Sequence, residues 1–180
     1  MLIVICGPIA SGKSTVARAI ARLFERQGTE AAAIDLDVVY EMLEHDCAPK
    51  ASLPTWGRAR RAVAALTDAL LQDGVGVVVV EGDFLTAEQR TEFVTALRSS
   101  VAPVFVTVHV SIDLALQRVQ RDPTRGISRD PRFLRRHYEQ LEETVRSRPA
   151  TDLVVDTASV SVDEAARTIA EWASGRASMT

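Results

Sequence analysis

The sequence predicts a doubly wound α/β domain, a parallel sheet with helices on both faces. Three observations lead there. Five short apolar runs alternate with stretches of helical periodicity. One run, residues 75–80, is apolar without alternation, the pattern of a strand buried on both faces. Polar clusters follow directly on the apolar runs, and ligands in this class bind at the carboxyl ends of the strands.

The elements follow in order. Leu2-Ile3-Val4-Ile5-Cys6 is the first strand, and an amphipathic helix runs from about Val16 until Gln27-Gly28 stops it. Residues 31–34 form a short strand ending at Asp35-Leu36-Asp37, where an aspartate can cap a helix over 38–44. A loop with Pro49 and Pro54 spans 46–55, and residues 56–71 have helical spacing (Ala59, Ala62, Val63, Leu66, Ala69, Leu70). Gly74 breaks that helix before the strand at 75–80, which ends in Glu81-Gly82-Asp83-Phe84. Thr86 caps a helix to about Arg98, a strand covers 104–110, and a helix covers 111–121. An arginine- and proline-marked stretch, 121–132, reads as a mobile flap before a helix from Phe133 to about Arg148. The last strand, 153–155, ends at Asp156-Thr157, and a final helix starts at Ser161 or Asp163 and reaches Trp172. We expect one domain over 1–173, an acceptor region at about 37–73, a lid at about 121–132 and a flexible tail over 174–180.

The most informative stretch is Gly7-Pro8-Ile9-Ala10-Ser11-Gly12-Lys13-Ser14, followed by Thr15. Strand, glycine-bounded turn and helix is the context that a G-x-x-x-x-G-K-[ST] phosphate loop requires. The glycines let successive N–H groups of Ala10, Ser11, Gly12 and their neighbours point into one concavity. The helix start adds its positive dipole end. Lys13 brings a mobile charge to the outer phosphates, and the Ser14 hydroxyl can join a magnesium shell. Lys13 and Lys50 are the only lysines of a chain that otherwise uses arginine. A compact ammonium suits this position better than a planar fork. The loop predicts binding of a nucleoside triphosphate.

Global properties narrow the class. A net charge of -3 and a pI near 5.7 give no case for nucleic acid. No apolar run reaches membrane-spanning length, and the apolar N-terminus runs straight into the phosphate loop, so it reads as core strand. Cys6 and Cys47 are too few for a disulfide framework and fit a reducing cytoplasm. No metal-ligand spacing of His and Cys appears. Of the histidines, His109 lies in an apolar strand and reads as core, while His45 and His137 have no partner pattern.

The remaining clusters suggest transfer chemistry. Asp35 and Asp37 either cap the next helix or touch the reaction, one holding magnesium and the other, Asp37, taking the proton of an attacking hydroxyl. Glu81 is a candidate magnesium or substrate ligand, with Asp83 a weaker one. Arg118 and Arg121 share a helix face and, with Arg125 and Arg129 in the flap, could neutralise a transferring phosphoryl group, or form a solvated basic face. Arg58, Arg60 and Arg61 could grip an acceptor or simply face water, and Phe84 could line its pocket.

With the Gly7–Ser14 loop, Asp35-x-Asp37, the Arg118/Arg121 segment and Asp156-Thr157, the chain resembles the small P-loop kinases. This group contains shikimate, gluconate and adenylylsulfate kinases, chloramphenicol phosphotransferase, and the zeta-toxin-like and polynucleotide kinases. The resemblance implies a three-layer P-loop NTPase fold with sheet order 2-3-1-4-5 and an arginine-rich lid. It also implies ATP and Mg2+ as cofactors, Asp37 as base or acceptor ligand, Asp35 near magnesium, Arg121 or Arg125 from the lid, and adenine against the loop after Asp156-Thr157. Glu81-Gly82-Asp83 stands where shikimate kinases have three glycines, and no Asn-Lys-x-Asp guanine-reading motif occurs. The expected activity is phosphoryl transfer from ATP to the hydroxyl of a small molecule by a monomer or homodimer. The competing expectations are a nucleotide or polynucleotide 5′-hydroxyl kinase and a slowly hydrolysing regulatory switch.

Overall fold

The computed structural model describes residues 1–43, 53–146 and 152–177. Most of the loop expected at 46–55 lies outside these residues, with His45, Cys47 and Lys50, and so does the end of the tail, 178–180. The elements are β1 (Leu2–Cys6), α1 (Lys13–Arg26), β2 (Ala31–Asp35), α2 (Leu36–Leu43), α3 (Leu53–Gln72), β3 (Val77–Gly82) and α4 (Ala87–Ala96). They continue with β4 (Pro103–His109), α5 (Ile112–Arg121), a 3₁₀ segment (Pro123–Arg129), α6 (Pro131–Arg146), β5 (Leu153–Asp156) and α7 (Val162–Ala177).

All five strands are parallel, in the order β2-β3-β1-β4-β5. The strand that carries the phosphate loop is therefore central, hydrogen-bonded to β3 on one side and β4 on the other. Successive strand residues point to opposite faces, and β1 divides its side chains accordingly. Ile3 and Ile5 join Val77, Val79, Val106 and Val108 under α1 and α7, against Val16, Ile20, Phe24, Ile169 and Ala173. Leu2, Val4 and Cys6 join Val78 and Val80 under α2, α3 and α4, against Tyr40, Val63, Phe84 and Phe93. The fully buried Val, Leu, Ile and Phe side chains among these contribute roughly 1.5–3 kcal/mol each. A third cluster joins Ala10 of the loop to Ala115 and Val119 on α5 and to Leu134 and Tyr138 on α6.

Several boundaries move, each for a local reason. β3 begins at Val77 rather than Val75, because the Val75 N–H donates to the Leu70 carbonyl (3.0 Å) and closes the end of α3. Thr86 does cap α4: its hydroxyl accepts from the Gln89 N–H, and the Gln89 side chain accepts from the Thr86 N–H (3.1 and 2.9 Å). That helix stops at Ala96 rather than Arg98, since Asp68 takes the N–H groups of Arg98 and Ser99 at 2.8 and 3.0 Å. The flap at 121–132 is not open loop. Asp122 caps the 3₁₀ segment by accepting from the Thr124 N–H (3.0 Å) and also pairs with Arg125 (3.0 Å). Residues 174–177, expected as tail, are the last turn of α7, where Arg176 lies 4.5 Å over the Trp172 ring. His109, expected as a core histidine, is the last residue of β4, and its side chain is exposed.

Candidate functional site

The loop between β1 and α1 is shaped by two glycines for different reasons. At Gly7 the limit is space, because a Cβ would run into the Val108 carbonyl of β4. At Gly12 the limit is conformation: φ is 92°, the left-handed region, and this residue caps α1 without a side chain. Ala10 also adopts a left-handed φ of 61°, alone among the described non-glycine residues. A non-glycine in that region stores strain, which surrounding contacts must hold in place.

Those contacts are present. Arg118 of α5 donates through Nη1 to the Ala10 carbonyl (3.0 Å) and to Thr157 Oγ1 (3.1 Å), and through Nη2 to the Thr157 carbonyl (3.0 Å). Thr157 Oγ1 lies 2.8 Å from the Ser11 carbonyl and 3.1 Å from that of His109, acceptors for its hydroxyl. On α6, Tyr138 donates its hydroxyl to the Ile9 carbonyl at 2.9 Å, and His137 Nε2 accepts from the Ile9 N–H at 3.4 Å. Lys13 Nζ turns back onto the carbonyls of Gly7 (3.0 Å) and Pro8 (3.2 Å). The Ile9 and Ser11 N–H groups are engaged within this network, so the N–H groups at the α1 start, which a helix leaves without intrahelical partners, are the ones placed to serve an anion.

A cleft of about 300 Å³ opens beside the loop, lined by residues that include Gly12, Thr15, Arg118, Arg125, Thr157 and Val160. Its place beyond the loop after β5 is where the sequence set the nucleoside. Asp156 has a different task, accepting from the Ala158 N–H and the Ser159 hydroxyl (both 2.9 Å) in the turn that leads there. Those bonds hold its carboxyl below the usual range.

On the other side of the loop, carboxylates collect. Asp35 of β2 and Glu81 of β3 are register partners, so their side chains leave adjacent strands toward the same face. Glu81 is 3% exposed, and its carboxyl lies in hydrogen-bonding contact with the Ser14 hydroxyl and with Asp35. Burial raises it most, Asp35 adds to this, and together they push it up to about 7 despite the Ser14 hydroxyl and Lys13. Its Oε1 has no partner, and neither has the buried hydroxyl of Ser11 within the loop. Two carboxylates and a hydroxyl beside an orphaned buried oxygen suit a hard divalent cation that completes its shell with phosphate oxygens and water. Among the described residues no three His, Cys, Asp or Glu side chains form a metal cage.

Asp37, in the first turn of α2, stands at the mouth of this hollow, its N–H bound to Asp35 Oδ1 (2.9 Å). Its carboxyl is reachable by solvent yet ringed by protein. Desolvation raises it above the ordinary carboxylate range, Asp35, Asp83 and Glu41 push the same way, and Lys13 opposes them. Asp83 follows β3 and accepts from Gln89 Nε2 (2.9 Å).

Other expected residues are elsewhere. Phe84 is completely buried, 5.1 Å from the Phe93 ring centroid, so it is core and lines no acceptor pocket. Arg60 is buried too, spent on Glu92 (2.9 Å) and the Asp83 carbonyl (3.3 Å), and Arg61 also reaches Glu92 at 3.2 Å. Arg58 is exposed on α3. The arginines of α5 and the segment after it divide: Arg118 and Arg125 line the cleft beside the phosphate loop, whereas Arg121 and Arg129 line a separate open groove with Arg135. His137 and Tyr138 are the residues that sequence reasoning missed. The available signal was the i, i+4 pair Leu134 and Tyr138 on one helical face, which turns this part of α6 inward.

Central β1, its phosphate loop, and acids at the ends of β2 and β3 define the chain as a P-loop protein with the fold of the small P-loop kinases. It belongs to the AAA domain family, which matches residues 2–123. The fold is similar to that of the APS kinase of Mycobacterium tuberculosis, solved with AMPPNP and APS, at a TM-score of 0.64 and 18% identity over 96% of this chain and 97% of that one. Shikimate kinase from Acinetobacter baumannii, solved with shikimate, gives 0.62 and 20% over 97% and 93%. A gluconokinase from Sinorhizobium meliloti 1021 gives 0.62 and 20% over 95% and 90%. No curated protein matches by sequence. No helix among the described residues is long and apolar enough to cross a membrane.

Proposed function

We propose that this chain is an ATP- and magnesium-dependent phosphotransferase that moves the γ-phosphoryl group to a hydroxyl of a small molecule. The observation that carries this reading is the convergence of Ser14, Asp35, Glu81 and Asp37 beside the phosphate loop, with a nucleoside-sized cleft on the opposite side. A pure binding site needs the cradle; a solvent-reachable carboxylate beyond it is what transfer adds.

Gly7, Ala10, Ser11, Gly12, Lys13, Ser14 and Thr15 would hold the phosphates, with Lys13 exchanging the loop carbonyls for phosphate oxygens. Arg118 and Thr157 border the nucleoside. Ser14, Asp35 and Glu81 would hold magnesium, which when bound neutralises phosphate charge in the transfer. Asp37 takes the proton of the acceptor hydroxyl as its oxygen bonds to phosphorus and the bond to the leaving ADP breaks. Its raised proton affinity suits a base better than an ordinary aspartate. Arg125, and Arg121 once the lid segment moves inward, would meet the transferred group, and the exposed Arg58 would reach for the acceptor. The polynucleotide reading finds no support in Arg60 and Arg61, which are bound to Glu92.

The test is a screen of hydroxyl-bearing small molecules for acceptor-dependent ADP release, run on wild type and Asp37→Asn. Turnover that depends on an acceptor and falls sharply in the variant supports the reading. Bound MgATP with no acceptor-dependent release across the screen would refute it.

A further inference from the structure

Two side chains of α6 meet the phosphate loop although nothing in the transfer reaction requires them there. Tyr138 and His137 take the two polar groups of one residue, Ile9: its carbonyl accepts from the tyrosine hydroxyl at 2.9 Å, and its N–H reaches the histidine Nε2 at 3.4 Å. Ile9 lies next to Ala10, the residue with the left-handed φ, whose own carbonyl is held by Arg118. Loop and α6 are 128 and 129 residues apart in the chain, so no local turn propensity creates this contact. α6 is also the helix that leaves the arginine-bearing 3₁₀ segment, with Leu134 and Tyr138 packed against Ala10, Val110, Ala115 and Val119.

We propose that His137 and Tyr138 are positioning residues that set the phosphate loop through the Ile9 peptide and tie the loop's shape to the helix that carries the lid. This rests on the reading of the loop as an ATP site. A strained turn returns to a commoner conformation unless neighbours hold it. Here the holders are Arg118 at Ala10 and the α6 pair at Ile9. A shift of α6 therefore reorients the Ile9 peptide, and a phosphate seated in the loop resists that shift. Neither side chain is assigned contact with the reacting atoms.

The histidine makes the strap sensitive to acid. Burial lowers His137 below its ordinary value, nearby Lys13 of α1 lowers it further, and Asp83 beyond β3 opposes both. Tyr138 beside it is kept protonated by burial, against the pull of Arg118 of α5. Neutral His137 can accept from the Ile9 N–H. Once protonated, both ring nitrogens are donors, the acceptor is gone, and a second cation sits near Lys13. The contact is thus complete at neutral pH and is lost as pH falls below the ordinary histidine range.

The test is the equilibrium affinity of the full chain for MgATP, measured by calorimetry from pH 5.5 to 8, alongside the melting temperature of each protein. Tyr138→Phe keeps the ring in its packing and removes only the donor; we expect about fivefold weaker binding at pH 7.5 with a small change in melting temperature. His137→Ala should weaken binding similarly, and His137→Gln, which restores an acceptor, should recover most of it. Wild-type affinity should fall below about pH 6.5 more steeply than that of His137→Gln. Affinities of Tyr138→Phe and His137→Ala within twofold of wild type, or an acid profile unchanged in His137→Gln, would overturn the strap while leaving the kinase reading intact. A wild-type chain that bound no MgATP would overturn both.

Discussion

The phosphate loop and the carboxylates beside it are finished to different degrees. In the loop every carbonyl from Gly7 to Gly12 meets a donor, supplied by Lys13, Tyr138, Arg118, Thr157 and the Val16 N–H. On the carboxylate side like charges are crowded together, and Glu81 keeps a buried oxygen without a partner. The first arrangement is already stable without ligand. The second is uncomfortable until a cation arrives, since neighbouring buried carboxylates repel and are poorly solvated. Rigidity is therefore built into the phosphate loop, and electrostatic tension into the carboxylates beside it.

The comparison can be broken from the tense side first. Asp37→Asn should lower acceptor-dependent kcat about a thousandfold while MgATP affinity stays within twofold, as read by coupled ADP release and calorimetry. Glu81→Gln should remove most of the tension. Because its folded pKa lies above its unfolded value, wild-type protein without metal should lose stability as pH rises from about 4.5 through about 7. The loss amounts to roughly 3 kcal/mol; Glu81→Gln should show a clearly smaller difference in melting temperature between pH 5.5 and pH 8 than wild type. A wild-type protein equally stable at both pH values would show that Glu81 is not strained.

The rigid side gives smaller effects. Thr157→Val keeps the shape but removes the hydroxyl that joins Ser11 to Arg118; MgATP binding should weaken about tenfold, near 1.4 kcal/mol, in the same calorimetric assay. Smallest of all, Arg61→Ala breaks an exposed pair with Glu92 and should change denaturant stability by less than about 0.5 kcal/mol. A large effect there would mean that Arg61 does more than sit in a solvated pair.

Much of this was legible in sequence because it depends on residues close together along the chain. Gly7 to Thr15 announce their own geometry, and the parallel order of strands places Asp35, Asp37 and Glu81 beside it. What was hidden depends on partners far away. Arg60 looks like an acceptor ligand until Glu92, 32 residues on, neutralises it. Phe84 looks like a pocket wall until Phe93 covers it. His137 seems to lack a partner because that partner is a backbone N–H, which has no letter in the sequence. The arginines of 118–129 showed their charge but not their direction, and the fold sends them to two different grooves.

The bond from Thr157 to the Ser11 carbonyl spans 146 residues. During synthesis at 5–20 residues per second, the phosphate loop emerges on the order of ten seconds before the residue that holds it. Among the described residues β5 pairs only with β4, and the residue just after β5 completes the cradle. A nascent chain thus has its phosphate-binding motif early and a finished site only at the end. A ligand that binds only the completed cradle would stabilise the state in which β5 and Thr157 are in place.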